Sequence, residues 1–236
     1  MIFPSPLERG VLVSRYKRFF ADVVLEDGTH ATAHVPNPGA MLGLKTPGLP
    51  VWVSRSADPK RKLPLTLELV ETCDGLVGVN TLNPNRLAWE AISAGGLPEL
   101  TGYDRMRREV KYDGDSRIDI LLESDERPPC WVEVKNCHFI REPGLAEFPD
   151  CVTVRGIKHL KALERRVEAG ERAVMLFVVQ LPGVALFDTA DDIDAGYGPA
   201  LREAAANGVE VLVHGCEMTR EGIRIDRRMQ WRSAPA

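Results

Sequence analysis

Two predicted strands carry charged residues that could bind a divalent metal ion. Asp119 interrupts one apolar segment, and Glu133 and Lys135 interrupt the next. Because side chains alternate between the two faces of a strand, Glu133 and Lys135 should point the same way. The connecting segment 123–129 is short and polar, so an antiparallel hairpin is expected. Such a hairpin would bring Asp119 beside Glu133.

Neighbouring carboxylates repel each other unless a cation lies between them. Mg²⁺, or Mn²⁺ in its place, prefers a few carboxylates together with waters and phosphate oxygens. Such an ion polarises a phosphate and activates a water. Lys135 could then hold the attacking water or neutralise charge on the phosphate. The sequence therefore predicts Asp119 and Glu133 as metal ligands and, with Lys135, as catalytic residues for phosphodiester hydrolysis.

A plainer interpretation competes with this site. Charged residues that alternate on a strand often face solvent, and a Glu and a Lys two positions apart form at most a weak surface pair. From the spacing alone, this interpretation is the stronger one. Glu90 could add a third metal ligand from the preceding helix, or could lie on an exposed helix face. Gln180 follows a buried apolar strand and could line the edge of the site, or could simply end the strand.

Basic residues cluster in three places and could contact DNA. The N-terminus of a helix itself favours phosphate. Where basic and aromatic residues alternate, the charges can contact phosphates while the aromatic rings stack on bases. The alternative for each cluster is a solvated basic surface, with the aromatic residues in the core. The predicted DNA-binding residues are Arg15, Lys17, Arg18 and Phe19, then Lys60, Arg61 and Lys62, then Arg155, Lys158 and His159.

Two domains should position these residues. Residues 1–80 contain short strand-like segments, including one that runs through 11–25, and the hairpin signal Asp27-Gly28; no helix is evident, so a small β-barrel is expected. Near residue 80 the pattern changes, and Asn83-Pro84 has the form of a helix N-cap followed by proline. Strands and helices then alternate, which predicts an α/β domain with a mixed sheet over residues 81–232.

Composition narrows the class of protein. The 236 residues carry a formal net charge of −4, which argues against coating nucleic acid by bulk charge but permits local basic patches. The five cysteines form no C-x-x-C pair, so we expect reduced thiols and neither a disulfide nor a zinc framework. No long apolar run and no secretion-signal pattern occur. We therefore expect no membrane span and a cytoplasmic protein.

Seven segments of the chain together resemble one known family. They occur in the family's order over nearly the whole length: Arg15–Phe19, His34–Met41, Val79–Thr81, Ser116–Asp119, Val132–Asn136, Phe148–Asp150 and Arg155–Leu160. On these segments the chain resembles the sugar fermentation stimulation protein A (SfsA) family.

The resemblance implies a bacterial or archaeal DNA-binding protein with a proposed regulatory link to maltose metabolism. It implies an N-terminal OB-like β-barrel followed by a C-terminal domain of the PD-(D/E)XK restriction-endonuclease-like superfamily. The nuclease motif would fall on Asp119, Glu133 and Lys135, with Glu90 as the possible helix carboxylate. One departure is Val154, which stands where relatives often have an acidic residue before an Arg-Gly pair.

Three functions remain open from the sequence. The first is a DNA-binding, Mg²⁺-dependent nuclease. The second is a non-catalytic DNA-binding regulator built on a nuclease-like fold. The third is a sugar or small-metabolite binding protein, which only the family name supports. No sequence-specific reader such as a helix-turn-helix is evident, so weak base specificity is expected. The oligomeric state is not predicted.

Overall fold

A computed structural model describes residues 1–113 and 116–233. Within these residues the chain forms sixteen strands and three α-helices. The strands are β1 (Glu8–Tyr16), β2 (Phe20–Leu25), β3 (His30–His34), β4 (Pro50–Arg55), β5 (Leu65–Thr72), β6 (Gly75–Gly78), β7 (Arg105–Asp113), β8 (Ser116–Glu123), β9 (Cys130–Cys137), β10 (Phe139–Glu142), β11 (Leu145–Phe148), β12 (Arg172–Val179), β13 (Leu186–Thr189), β14 (Glu210–Met218), β15 (Ile223–Arg228) and β16 (Gln230–Trp231). The helices are α1 (Asn83–Ser93), α2 (Val154–Glu168) and α3 (Tyr197–Ala206).

The N-terminal part is a closed five-stranded barrel. Strands β3, β2, β1, β4 and β5 pair in that order, and a parallel pairing between β3 and β5 closes the ring. Strand β2 illustrates the alternation that fills the barrel, since Ala21, Val23 and Leu25 are buried and the residues between them are not. The predicted barrel without a helix is therefore confirmed. Strand β6 extends the sheet beside β5.

The predicted continuous strand through residues 11–25 is wrong, because the chain reverses in its middle. Tyr16 pairs with Phe20, so residues 17–19 form a three-residue hairpin loop. Lys17 and Arg18 have φ values of 47° and 64°, in the left-handed region that usually favours glycine or asparagine. Neither residue is a turn signal, which is why the sequence pattern missed this hairpin.

The C-terminal part contains a six-stranded mixed sheet with helices on both faces. The strand order is β15-β14-β12-β9-β8-β7, and the central strands β14, β12 and β9 are parallel. Strand β8 pairs antiparallel with β9, so the predicted hairpin is confirmed. Leu87 of α1 packs with Val132 on one face, whereas Leu160 of α2 and Leu201 of α3 belong to the core on the other. The mixed α+β fold agrees with expectation.

A second, four-stranded sheet in the order β10-β11-β13-β16 was not predicted from the sequence. Each of its strands has four residues or fewer, too few to show a reliable periodicity.

All five cysteines are free thiols. None of the helices in the described part of the chain combines the length and apolar character needed to cross a membrane.

A buried carboxylate joins the barrel to α1. Glu68 of β5 accepts hydrogen bonds from Ser54 Oγ at 2.8 Å, Asn80 Nδ2 at 2.8 Å and Asn83 Nδ2 at 3.2 Å. The prediction of Asn83 as the N-cap of α1 is wrong. Asn83 is the first residue of the helix, and Leu82 occupies the cap position without a side-chain hydrogen bond. The helix start is fixed instead by this contact with the barrel.

Replacement of Glu68 by alanine should destabilise the protein by about 2–3 kcal/mol, because three buried donors lose one charged acceptor. Glu26→Ala is the matched control, since Glu26 is exposed and its contact with Arg9 is 3.4 Å long. The control should change the free energy of unfolding by less than about 0.5 kcal/mol. Urea unfolding of both variants measures the difference. Equal losses would contradict the role assigned to Glu68.

Candidate functional site

Glu133 and Lys135 meet on one face of β9. Glu133 is only 2% exposed, and the Lys135 Nζ lies 2.6 Å from its Oε1. His159 of α2 approaches the same oxygen through Nδ1. The two side chains point the same way, as predicted, because side chains alternate between the two faces of a strand. Lys135 and His159 both donate to a single carboxylate oxygen.

The hydrogen bonds fix the form of the His159 ring. Arg155 Nε donates to His159 Nε2 at 3.1 Å, so that nitrogen is an acceptor and the ring proton sits on Nδ1. The Nδ1–H therefore donates to Glu133 Oε1. The 3.3 Å separation between the Lys135 Nζ and His159 Nδ1 is thus the approach of two donors that share an acceptor.

The second oxygen of Glu133 is different. Its Oε2 is buried and has no hydrogen-bond partner among the described residues. A buried carboxylate oxygen without a donor is costly, because it has lost its water and gained nothing in return. The orientation of Glu133 therefore leaves one oxygen available to a ligand from outside the chain.

Asp119 lies beside Glu133. The β8–β9 register pairs Ile120 with Val132, which brings the preceding residue of β8 next to the following residue of β9. Asp119 Oδ1 accepts from Asn85 Nδ2 at 2.7 Å, and its Oδ2 accepts from the Val134 backbone N–H at 2.8 Å. These two bonds hold the carboxyl group in place while leaving lone pairs on both oxygens.

The two carboxyl groups differ in their electrostatics. Burial, and then the negative charge of Glu133, raise the pKa of Asp119 to about 6. Burial also opposes ionisation of Glu133, but the Lys135 ammonium and the His159 hydrogen bond outweigh it and lower the Glu133 pKa below its ordinary value. A cation between the groups would remove the repulsion that raises the Asp119 pKa.

The structure does not bring Glu90 to this pair. Its carboxylate lies 2.8 Å from the Met1 ammonium and 2.8 Å from Arg86 Nε. Met1 is held there because Ile2 bridges to Gly222 at the C-terminal sheet. Within residues 1–113 and 116–233, no three His, Cys, Asp or Glu side chains group closely enough to hold a metal. Two carboxylates completed by water or phosphate still suit Mg²⁺, which keeps several waters.

Gln180 lies where the barrel meets the C-terminal sheet. It is fully buried, its backbone oxygen accepts from the Gly78 N–H at 3.1 Å, and its Nε2 donates to Asn136 Oδ1 at 2.6 Å. Asn136 follows Lys135 on β9, and its amide lies 2.6 Å from His138 Nδ1. Gln180 therefore does not contact Asp119, Glu133 or Lys135 through a described hydrogen bond, but binds Asn136, the residue that follows Lys135.

Further polar contacts continue from His138 into the barrel. His138 Nε2 lies 3.3 Å from the amide of Asn37, which is fully buried, and 3.6 Å from Asp150 Oδ2. No sequence pattern predicts a role for Asn85, Asn136, His138 or Asp150. Asn136 and Asp150 lie in segments that carry the family resemblance, but the contacts of all four residues depend on pairings between residues far apart in the chain.

The predicted DNA-binding residues fall into different environments. Arg15 Nη2 donates to the backbone oxygens of Arg18 at 2.9 Å, Asn37 at 2.8 Å and Gly39 at 2.9 Å, so this side chain supports two loops. His159 is buried against Glu133. Arg61 donates to Thr66 Oγ1 at 2.8 Å. The remaining predicted residues are exposed, namely Lys17, Arg18, Phe19, Lys60, Lys62, Arg155 and Lys158.

Comparison with known proteins agrees with this architecture. Residues 13–79 match the family model described as the SfsA N-terminal OB domain, and residues 82–222 match that of the sugar fermentation stimulation protein RE domain. The chain is 56% identical to a sugar fermentation stimulation protein homolog of Caulobacter vibrioides, covering 99% of this chain and 98% of the relative. A homolog of Maricaulis maris is 58% identical, with 98% of each chain covered.

A solved structure shares the whole fold. The SfsA protein of Pyrococcus furiosus, in complex with Ca²⁺, superimposes with a TM-score of 0.89 at 28% sequence identity. The alignment covers 98% of this chain and 97% of that one. With both domain models matched in order and close relatives covered end to end, this chain belongs to the sugar fermentation stimulation protein family.

Proposed function

We propose that this protein binds DNA and hydrolyses its phosphodiester bonds in a metal-dependent reaction. The C-terminal domain would then be a PD-(D/E)XK nuclease with Asp119, Glu133 and Lys135 as its motif. One observation carries the proposal: the unpartnered, buried Oε2 of Glu133 lies in a site where the neighbouring Asp119 has a raised pKa. The Ca²⁺ complex of the Pyrococcus furiosus relative supports a divalent ion in this family.

Asp119 and Glu133 would hold the ion, Mg²⁺ or Mn²⁺. When bound, it would polarise the scissile phosphate and make a water more acidic. Asn85 and the Val134 N–H keep Asp119 oriented, whereas His159 occupies Glu133 Oε1. Lys135 is only 16% exposed and carries the ammonium of the site. It would neutralise charge that develops on the phosphate or orient the attacking water.

A non-catalytic DNA-binding regulator is the second candidate. It is favoured by the environment of Glu90, whose carboxylate is paired with Met1 and Arg86 and so does not provide a third acidic ligand. This candidate predicts DNA binding that weakens steeply with salt, because phosphate contacts release counterions. It also predicts no cleavage with any divalent ion.

Cleavage should depend on Asp119. In assays with supercoiled, linear and single-stranded DNA and Mn²⁺, Asp119→Asn should lower the rate by about 100-fold or more, because the site loses one of its two anionic ligands. Asp125→Asn is the matched control, since Asp125 is an exposed carboxylate in the loop that follows β8 and pairs with Arg105. The control should cleave like the parent. Undiminished cleavage by Asp119→Asn would contradict the assignment, and no cleavage by the parent would favour the regulator.

Divalent-ion affinity should fall as the solution becomes more acidic than about pH 6. Below the raised Asp119 pKa the folded protein holds a proton on that carboxyl group, and an ion must displace it. For one proton, the affinity should fall by up to about tenfold per pH unit below this value and level off above it. Calorimetric Mn²⁺ titrations between about pH 5 and pH 8 measure this. An affinity that is flat through this range would contradict the role of Asp119.

His159 should set the ion affinity through Glu133. His159→Ala removes a donor to Oε1 and frees the carboxylate to rotate, so the Mn²⁺ affinity should fall about 10–100-fold. Lys158→Ala, the neighbouring exposed residue on α2, should leave the affinity within about twofold. The same calorimetric titration measures both variants. Equal affinities for the His159 variant and the parent would show that His159 does not position Glu133.

A further inference from the structure

The hairpin loop of the barrel and the entry to α2 lie side by side. Met41 N donates to Asp150 Oδ2 at 2.9 Å, which fastens the loop after β3 to the residue before Cys151. Arg15 ties that same loop to the hairpin by donating to the oxygens of Gly39 and Arg18. The positive charge of Arg18 also acts on the pKa of Cys151, which burial and Asp150 raise overall. One surface therefore spans both domains.

We call this surface the bridging surface and define it by six side chains: Lys17, Arg18, Phe19, Val152, Val154 and Lys158. Three are apolar and exposed, Phe19 at 44%, Val152 at 67% and Val154 at 64%. The two valines flank Thr153, whose side chain caps α2 by accepting from the Gly156 N–H at 3.1 Å. Both valines lie outside the hydrophobic core, so burial inside the protein does not explain them.

The cations of the bridging surface are available to a ligand. Across the described chain, Lys17, Arg18 and Lys158 form no ion pair with a carboxylate within 4.0 Å. Several exposed arginines differ, since Arg55 is paired with Glu8 at 2.6 Å and Arg107 with Glu123 at 2.8 Å. In a chain of net charge −4, unpaired cations concentrated at one place suit a polyanion.

Helix α2 connects this surface to the candidate metal centre. Arg155, in the first turn of α2, contacts His159, and His159 contacts Glu133. Lys158 of the bridging surface is the neighbour of His159 in sequence. A polymer lying across the hairpin loop and the α2 entry would therefore be anchored on the helix that also serves Glu133.

The mixture of apolar and cationic side chains distinguishes between two forms of DNA. A duplex presents phosphates and sugars outward and keeps its base faces stacked inside, so exposed valines and a phenylalanine find little to contact. An unpaired strand offers base faces to apolar side chains and phosphates to cations. We propose that the bridging surface binds a single, unpaired DNA strand. Delivery of that strand to Asp119 and Glu133 rests on the proposed function; the binding itself does not.

Fluorescence anisotropy in EDTA tests the binding without cleavage. Labelled oligo(dT) of about 20 nucleotides should bind more tightly than a duplex of equal length. Phe19→Ala and the double variant Val152→Ser/Val154→Ser should each weaken oligo(dT) binding about tenfold, and should leave duplex binding within about twofold. Lys17→Ala/Lys158→Ala should weaken both and reduce the salt dependence. Val13→Ser and Lys111→Ala, exposed residues on strands β1 and β7, are the apolar and cationic controls and should bind like the parent.

Three results would overturn the proposal. They are a duplex bound as tightly as oligo(dT), surface variants that bind like the controls, or oligo(rU) bound more tightly than oligo(dT). Failure of this proposal is distinguishable from failure of the proposed function. If the surface variants bind oligo(dT) normally and Asp119→Asn loses cleavage, only the binding role of the bridging surface is contradicted. If the surface variants lose binding and the parent protein never cleaves DNA, only the proposed nuclease activity is contradicted.

Discussion

The site depends on the different environments of the two carboxylate oxygens of Glu133. Oε1 accepts from both Lys135 and His159, and Oε2 is buried with no partner among the described residues. The two donors lower the Glu133 pKa, so the buried group stays ionised. Burial of Asp119, and then the charge of Glu133, raise the pKa of Asp119 to about 6. A cation would stabilise this arrangement, because Glu133 is a buried anion with one unpartnered oxygen and the pKa of the neighbouring Asp119 is raised.

This arrangement requires contributions from helices α1 and α2 and from the barrel. Asn85 of α1 and His159 of α2 orient the two carboxylates. Glu68 of the barrel fixes the start of α1 through Asn83. On the other side, Gln180 binds Asn136, the residue after Lys135, and also contacts Gly78 of β6. The barrel therefore supports the elements that carry the site as well as presenting its own surface.

Much of the fold and the centre of the site could be predicted because they depend on local patterns. Alternation on β9 placed Glu133 and Lys135 together, and a short polar connection predicted the β8–β9 hairpin that brings Asp119 to them. The barrel followed from short strands and turn residues. The role of His159 did not follow, since it was predicted as a phosphate ligand. Its contact with Glu133 depends on how α2 packs on the sheet, which helical spacing does not specify.

Other features depend on long-range or unusual local geometry. Glu90 lies on the expected helix, but its pairing with the Met1 ammonium requires the chain start to lie against Gly222. The reversal at Lys17 and Arg18 uses left-handed backbone without glycine, supported by the Arg15 guanidinium on the Arg18 oxygen. Neither arrangement leaves a signal in the sequence. Both bear on the proposals, because one pairs the carboxylate that was predicted as a third metal ligand and the other shapes the bridging surface.

Anomalous diffraction from crystals of this protein soaked in Mn²⁺ tests the central claim most directly. The account predicts one strong peak about 2.2 Å from Glu133 Oε2 and from an Asp119 oxygen, with Lys135 and His159 still on Oε1. A peak elsewhere, or none between these carboxylates at a pH well above the Asp119 pKa, would contradict it.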